Sequence, residues 1–189
     1  MERALENLRK YPLEERLHLE KICHDELSDL YMLCKDKRAE EQIGQCIDLH
    51  RKWLAMDDRF ERPHRDTTGY MMRAYAKMVY LRDLISRDKL NEYYQKCIGL
   101  ARARGDMAEI YSTSARYYQC TGDYERAVAY IDSTITAYKS KGIKADLAPI
   151  YATQSYLYEK MGDYKNALKA VRTTNNIRFN ERVEEAQSS

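Results

Sequence analysis

Gly122-Asp123-Tyr124-Glu125-Arg126-Ala127 returns as Gly162-Asp163-Tyr164-Lys165-Asn166-Ala167, an offset of 40 residues. Upstream and at the same offset, Tyr111 matches Tyr151 and Tyr118 matches Tyr158. Matched features in one register mark an internal repeat, and repeats of this length build solenoids.

Each part of the unit has a physical reason. Tyr111, Ala115 and Tyr118 are spaced four and three, so they share one face of a helix. Gly122 ends that helix by accepting a left-handed conformation. Asp123 caps the next helix and suits its positive end. Ala127 permits close approach of the second helix, and Ile131, Thr134 and Ile135 continue its buried stripe. The second copy runs Tyr151, Ser155, Tyr158, Gly162, Asp163, Ala167, Val171, Thr174. Each copy therefore reads as a helix, a tight turn and an antiparallel helix.

On these residues the chain resembles the tetratricopeptide repeat family. Ala115 and Ser155 stand at that family's small position, Tyr118 and Tyr158 at its aromatic one, and Ala127 and Ala167 at its second-helix alanine. Thr134 and Thr174 replace a usual Ala, Ser114 and Gln154 replace a usual Leu, and the closing Pro is missing. The period is 40 where the family's is about 34. The resemblance implies an all-α superhelix, a TPR-like solenoid of about four antiparallel helix pairs.

Two degenerate copies lie upstream. Leu90, Tyr94, Cys97 and Ile98 match Ala127, Ile131, Thr134 and Ile135, with Ala74, Met78 and Leu81 on the partner helix. Earlier, Cys46-Ile47-Asp48 matches Tyr130-Ile131-Asp132, Trp53 falls where Ala137 lies, and the partner helix carries Leu27, Tyr31 and Cys34. Helices are expected near 13–35, 38–60, 67–84, 87–104, 106–120, 123–140, 147–160 and 163–179. The expected organisation is one helical repeat domain over 1–189. Its clear repeats span about 108–141 and 148–179, its degenerate ones about 24–60 and 67–104, and 180–189 forms a polar tail. A short leading helix is expected before Pro12. Pro63 is expected to end the second helix, Asp66 or Thr67 to cap the third, and Asp146 to cap the seventh.

Composition agrees. The 189 residues are 44% hydrophobic and 33% charged, with only 7 Gly and 3 Pro, which favours long helices over a many-stranded fold. The chain has 17 Tyr against 2 Phe and 1 Trp; a Tyr ring fills a thin interface between helical layers while its hydroxyl reaches a polar partner. The net charge of +2 comes from interleaved signs, so no concentrated basic footprint for nucleic acid is present. No apolar run is long enough to span a membrane, and Met1-Glu2-Arg3-Ala4 lacks a signal-peptide core, so a soluble piece is expected. Cys23, Cys34, Cys46, Cys97 and Cys120 form no CxxC and read as free thiols.

The search for chemistry yields no phosphate loop, GxSxG or HExxH. His18, Cys23, His24 and Asp25 do not share one helix face, so no metal site is expected. His50 falls on the buried stripe of its helix. Arg62, His64 and Arg65 read as a solvated turn. Asp57-Asp58 and Glu184-Glu185 diverge on a helix and do not suit acid–base work. No catalytic residue, metal or cofactor is assigned.

The family resemblance implies a concave groove lined by the first helix of each pair. Carried over by position, it comprises Glu109, Ser112, Thr113, Arg116, Gln119 and Cys120 in one copy, and Ala152, Thr153, Tyr156, Glu159 and Lys160 in the next. The preceding copy adds Tyr75, Val79 and Arg82. The expected function is a non-catalytic scaffold holding a protein or peptide segment. One alternative is the sensory input region of a bacterial two-component protein, which the chain also resembles through its Tyr-rich period and its Asn175-Asn176-Ile177-Arg178 ending. Another is a self-associating module, such as a homodimer. The compartment stays open: free cysteines favour the cytoplasm, whereas the sensor resemblance implies a periplasmic part of a membrane-anchored protein.

Overall fold

The computed structural model describes residues 7–59, 66–140 and 147–188. The expectations that concern residues 1–6, Arg62, Pro63, His64, Arg65, Asp146 and Ser189 lie outside the described residues.

Among the described residues all regular structure is helical. A 3-10 turn at Leu8–Lys10 precedes α1 (Leu13–Leu33), α2 (Arg38–Arg59), α3 (Thr67–Val79), α4 (Arg87–Arg104), α5 (Met107–Thr121), α6 (Tyr124–Ser140), α7 (Ala148–Lys160) and α8 (Tyr164–Ser188). The chain forms two compact units, Met1–Asp106 and Met107–Ser189. In the first, α1 packs on α2, α2 on α3, and α3 on α4. In the second, α5 packs on α6, α6 on α7, and α7 on α8.

One turn chemistry recurs. Gly122 and Gly162 sit at φ +84° and +79°, where a Cβ would meet the following carbonyl. Beyond them, the Asp123 and Asp163 amides donate to the carbonyls of Tyr118 and Tyr158 at 3.0 and 2.9 Å. The Asp123 and Asp163 carboxylates then accept from the Arg126 and Asn166 amides at 3.2 and 3.1 Å. This is a Schellman closure followed by a side-chain cap. The turn after α1 closes the same way: Lys35 takes φ 52°, and the Asp36 amide donates to the Tyr31 carbonyl at 2.8 Å. Asp36 also accepts from the Arg38 amide at 2.9 Å.

That third closure corrects the register of the first copy. Tyr31, buried, holds the place of Tyr118, while Cys34 caps α1 and is exposed. Past Asp36 the first copy is one residue shorter, its carboxylate accepting from the second amide on rather than the third, so Ala39, fully buried, holds the place of Ala127. A Lys where the later copies have Gly hides the match.

The core is built as thin layers. In the second unit Ala115, Ala127, Val128, Ile131, Ile135 and Leu157 form its centre, with Tyr118, Tyr124, Tyr130, Tyr151 and Tyr158 packed half-buried around it. Tyr118 stacks on Tyr130 with ring centres 5.5 Å apart. Thr134 and Thr174 are buried, and each hydroxyl donates to the carbonyl four residues back, Tyr130 at 2.8 Å and Ala170 at 3.1 Å. A hydroxyl satisfied by its own helix tolerates an apolar layer. In the first unit Leu90, Tyr94, Cys97 and Ile98 are buried as the repeat predicts.

Two boundaries differ from expectation. The third helix ends at Val79 rather than near 84, because Leu81 and Leu84 turn tightly and Ser86 then caps α4 by accepting from the Lys89 amide at 3.3 Å. At the other end, α8 does not stop near 179 but continues through the polar stretch after Asn180 to Ser188. Glu, Arg, Ala and Gln dominate it, with neither Gly nor Pro to stop the helix.

Candidate functional site

In the first unit a cavity of about 180 Å³ opens among α1, α2 and α3. Lys21 and Asp25 come from α1, Ile43, Cys46 and His50 from α2, and Tyr70, Arg73, Ala74 and Lys77 from α3. The spacing explains the convergence. Lys21 and Asp25 are one helical turn apart, as are Tyr70, Arg73 or Ala74, and Lys77, so each set shares a face.

The charges divide into a balanced and an unbalanced part. Lys77 Nζ lies 3.0 Å from the Asp25 carboxylate and 2.6 Å from that of Asp29. Burial would lower the Lys77 pKa, but hydrogen bonds to Asp29 and Asp25 outweigh it and raise it. Lys21 and Arg73 form no ion pair among the described residues. Instead Lys21 Nζ and the Arg73 guanidinium lie 5.1 and 4.6 Å from the centre of the Tyr70 ring, within cation–π range. Asp66 feels the Arg73 charge, but its carboxylate is bonded to Arg104 and to the Gly69 amide.

His50 floors the cavity at 3% exposure, and its ring stacks on Tyr70 at 4.7 Å. Its Nδ1 has no hydrogen-bond partner among the described residues. Burial, reinforced by the positive charges of Lys21 and Arg73, pushes its pKa down to about 4, so the imidazole is neutral at physiological pH. The Cys46 Sγ contacts the Lys21 carbonyl at 3.8 Å, and burial pushes the thiol up to about 12. A thiol that stays protonated is a poor nucleophile and a poor metal ligand. The arrangement therefore offers an anionic group two cations, an aromatic ring and a neutral floor.

The second unit holds further cavities. One, of about 320 Å³, is lined by residues including Asp132, Tyr151, Gln154, Tyr158 and Lys169. Gln154 Nε2 donates to Asp132 at 2.6 Å, yet burial raises the Asp132 carboxyl above its ordinary range.

The structure redistributes the residues that sequence reasoning assigned to a groove. Tyr75, Val79 and Thr113 are corrected: they are 6%, 0% and 4% exposed, so they pack the interior. Tyr75 stacks near Tyr93 at 6.2 Å, and its hydroxyl accepts from Arg51 at 3.3 Å. Arg82 lies in the turn beyond α3, 3.4 Å from the carboxylate of its neighbour Asp83. On α5 the polar side chains bond one another along the helix, Thr113 Oγ1 to Glu109 at 2.8 Å and Arg116 to Gln119 at 3.0 Å. Ser112 donates to the Glu109 carbonyl at 3.2 Å. Cys120 is half-buried. On α7, Tyr156 is exposed with Lys160 Nζ 5.3 Å from its ring centre, Ala152 and Glu159 are exposed, and Thr153 donates to the Pro149 carbonyl at 3.0 Å.

Among the residues weighed for a metal, His24 Nδ1 pairs with Gln42 at 2.6 Å, His18 lies against Trp53, and Asp25 is bonded to Lys77. Among the described residues no three His, Cys, Asp or Glu side chains converge on a point suited to a metal ion. No described helix is long and apolar enough to cross a membrane.

Sequence reasoning missed Lys21, Tyr70, Arg73 and Lys77 as a group. Their signal was the turn-by-turn spacing on the first helix of each degenerate pair, obscured by the misplaced register of the first copy.

No protein-family model matches the chain, and no curated protein matches it in sequence. Among solved structures it is similar to BtubC (BKLC) from P. vanneervenii, at 15% identity and a TM-score of 0.35, over 91% of this chain and 93% of that one. Similarity at that level carries no functional argument.

Proposed function

We propose that this chain is a non-catalytic, tetratricopeptide-type scaffold that holds a segment of another protein, and that the cavity among α1, α2 and α3 receives an acidic side chain of that segment. One observation carries the reading: Lys21 and Arg73 flank an exposed aromatic ring at a cavity mouth, and neither has a carboxylate partner among the described residues. Two cations without a carboxylate partner attract an anion, and guanidinium binds carboxylate in a two-pronged geometry. Tyr70 adds a flat surface of the kind that anchors binding hot spots. The protonated Cys46 thiol and the neutral His50 support holding rather than bond-making.

Fluorescence polarisation with two labelled peptides tests this, one rich in Glu and one with every Glu replaced by Gln. The Glu peptide should bind about tenfold more tightly, the order expected of one charge-assisted contact. Lys21→Gln combined with Arg73→Gln should erase the difference. Equal binding of both peptides to the unaltered chain, or a preference that survives the double substitution, overturns the assignment.

A further inference from the structure

The two copies of the repeat in the second unit differ in what covers their second helix. On α6, Val128, Ile131 and Ile135 are 8%, 7% and 7% exposed and share a core with Leu157 of α7. Forty residues on, at the equivalent places on α8, Leu168 and Val171 are 52% and 41% exposed, and Tyr164 is 71% exposed. Tyr164, Leu168 and Val171 are spaced four and three, so they form one continuous strip. The strip stops at Asn175, which stands where α6 has Ile135; Phe179 and Val183, 68% and 38% exposed, lie further along the helix, where Glu181, Glu184 and Glu185 enter. On α6 the corresponding strip is buried beneath a helix; on α8 no described helix lies over it.

Charge identifies the chemistry of what fits there. Between Tyr164 and Asn180, α8 carries Lys165, Lys169, Arg172 and Arg178 and no Asp or Glu. None of these four forms an ion pair among the described residues. By helical spacing Lys165 and Arg172 run along one edge of the strip and Arg178 along the other. A second copy packed on Leu168 and Val171 would set Lys165, Lys169 and Arg172 against the same three cations, and juxtaposed like charges oppose pairing. A helix with an apolar strip bordered by carboxylates meets both the exposed surface and the charge, as helix-in-groove recognition requires.

We infer that the Tyr164–Leu168–Val171 face of α8 is a docking surface for an acidic amphipathic helix of another protein. It is separate from the cavity among α1, α2 and α3. The bound helix would cover Leu168 and Val171 as α7 covers Val128 and Ile131.

The test uses the full chain and two synthetic amphipathic helices with identical Leu strips, one bordered by Glu and one by Lys. Fluorescence anisotropy should show the Glu helix binding at least about tenfold more tightly than the Lys helix, with the difference shrinking as salt rises. Leu168→Ser with Val171→Ser should weaken the Glu helix by about tenfold or more without shifting the thermal melt, because both side chains are already exposed. Lys165→Glu with Arg172→Glu should reverse the preference. Equal binding of the two helices overturns the inference, as does binding that ignores the change at Leu168 and Val171. A concentration-dependent dimer in light scattering that this same change removes also overturns it and assigns the face to a second copy. Lys21→Gln with Arg73→Gln should leave this binding untouched, so failure here is distinguishable from failure of the cavity reading.

Discussion

The Tyr93 hydroxyl donates to the Glu40 carboxylate across 2.5 Å, tying α4 to α2. Lys89 Nζ donates to the same oxygen at 2.8 Å. Burial raises the Glu40 pKa, but the two hydrogen bonds outweigh it, and the carboxyl is held below its usual range. Burial and the bond to Glu40 push the Tyr93 pKa up.

Tyr93→Phe should therefore cost about 1.5–3 kcal/mol, the scale of a hydrogen bond to a charged group, measured by urea unfolding. A group whose folded pKa is depressed contributes stability above its unfolded pKa and loses it as pH falls through the folded pKa. The Glu40 contribution should thus fade from the ordinary carboxylate range downward, and the Tyr93→Phe variant should show a shallower acid slope. Equal slopes would remove this link from the account of α2 and α4.

The turns give a prediction of opposite signs. Gly122→Ala and Gly162→Ala place a Cβ at φ +84° and +79° and should each destabilise by about 1–2 kcal/mol. Lys35 already bears that strain at φ 52°, so Lys35→Gly should stabilise by a few tenths of a kcal/mol up to about 1, the relief less the added chain entropy. Thermal melts of the three variants check it. If Lys35→Gly destabilised the chain, the equivalence of the turn after α1 with the two later turns would fail energetically.

These turns show where sequence reading reached and where it stopped. Gly122-Asp123 and Gly162-Asp163 announce themselves, because left-handed backbone selects Gly and an exposed helix start selects Asp. Lys35-Asp36 closes the same way without the Gly, so the first pair was legible only as helices, with Cys34 misplaced by three residues onto the position of Tyr31. The groove suffered for a related reason. Positions carried over from the family resemblance fix a sequence place, not its depth, and Tyr75, Val79 and Thr113 turned out to be interior. The cavity needs Lys21, His50 and Arg73 from three helices, and which helix faces lie together depends on packing that local spacing does not encode.

His50 carries a pH prediction. Its folded pKa of about 4 lies below its ordinary 6.5, so between those values the unfolded chain binds a proton that the folded chain does not. Stability should therefore rise with pH from about 4 to 6.5 and level off above, by an amount on the order of 3 kcal/mol. His50→Phe keeps a flat ring against Tyr70 and removes both the proton site and the unpaired Nδ1, so this slope should vanish while stability at neutral pH holds or increases. Denaturant midpoints across that range are the measurement; an unchanged slope in the variant would place its origin elsewhere.

Lys77 separates holding a charge from holding a ligand. It neutralises Asp25 and Asp29, which sit one helical turn apart on α1 and repel each other without it. Both carboxylates are more than half exposed, so Lys77→Met should cost only about 0.5–1 kcal/mol, more at low salt than at high salt. Because the Lys77 pKa is raised, its contribution should persist through neutral pH and disappear only as pH climbs past the folded value. The effect on binding should exceed the effect on stability. Asp25 lines the cavity, and freed from Lys77 its carboxylate opposes an incoming anion and offers Lys21 and Arg73 an internal partner. Lys77→Met should therefore weaken the Glu peptide although Lys77 does not itself hold it, and adding Asp25→Asn should restore the affinity. If Asp25→Asn left the loss in place, Lys77 would be a direct contact and the division into balanced and unbalanced charges would be wrong.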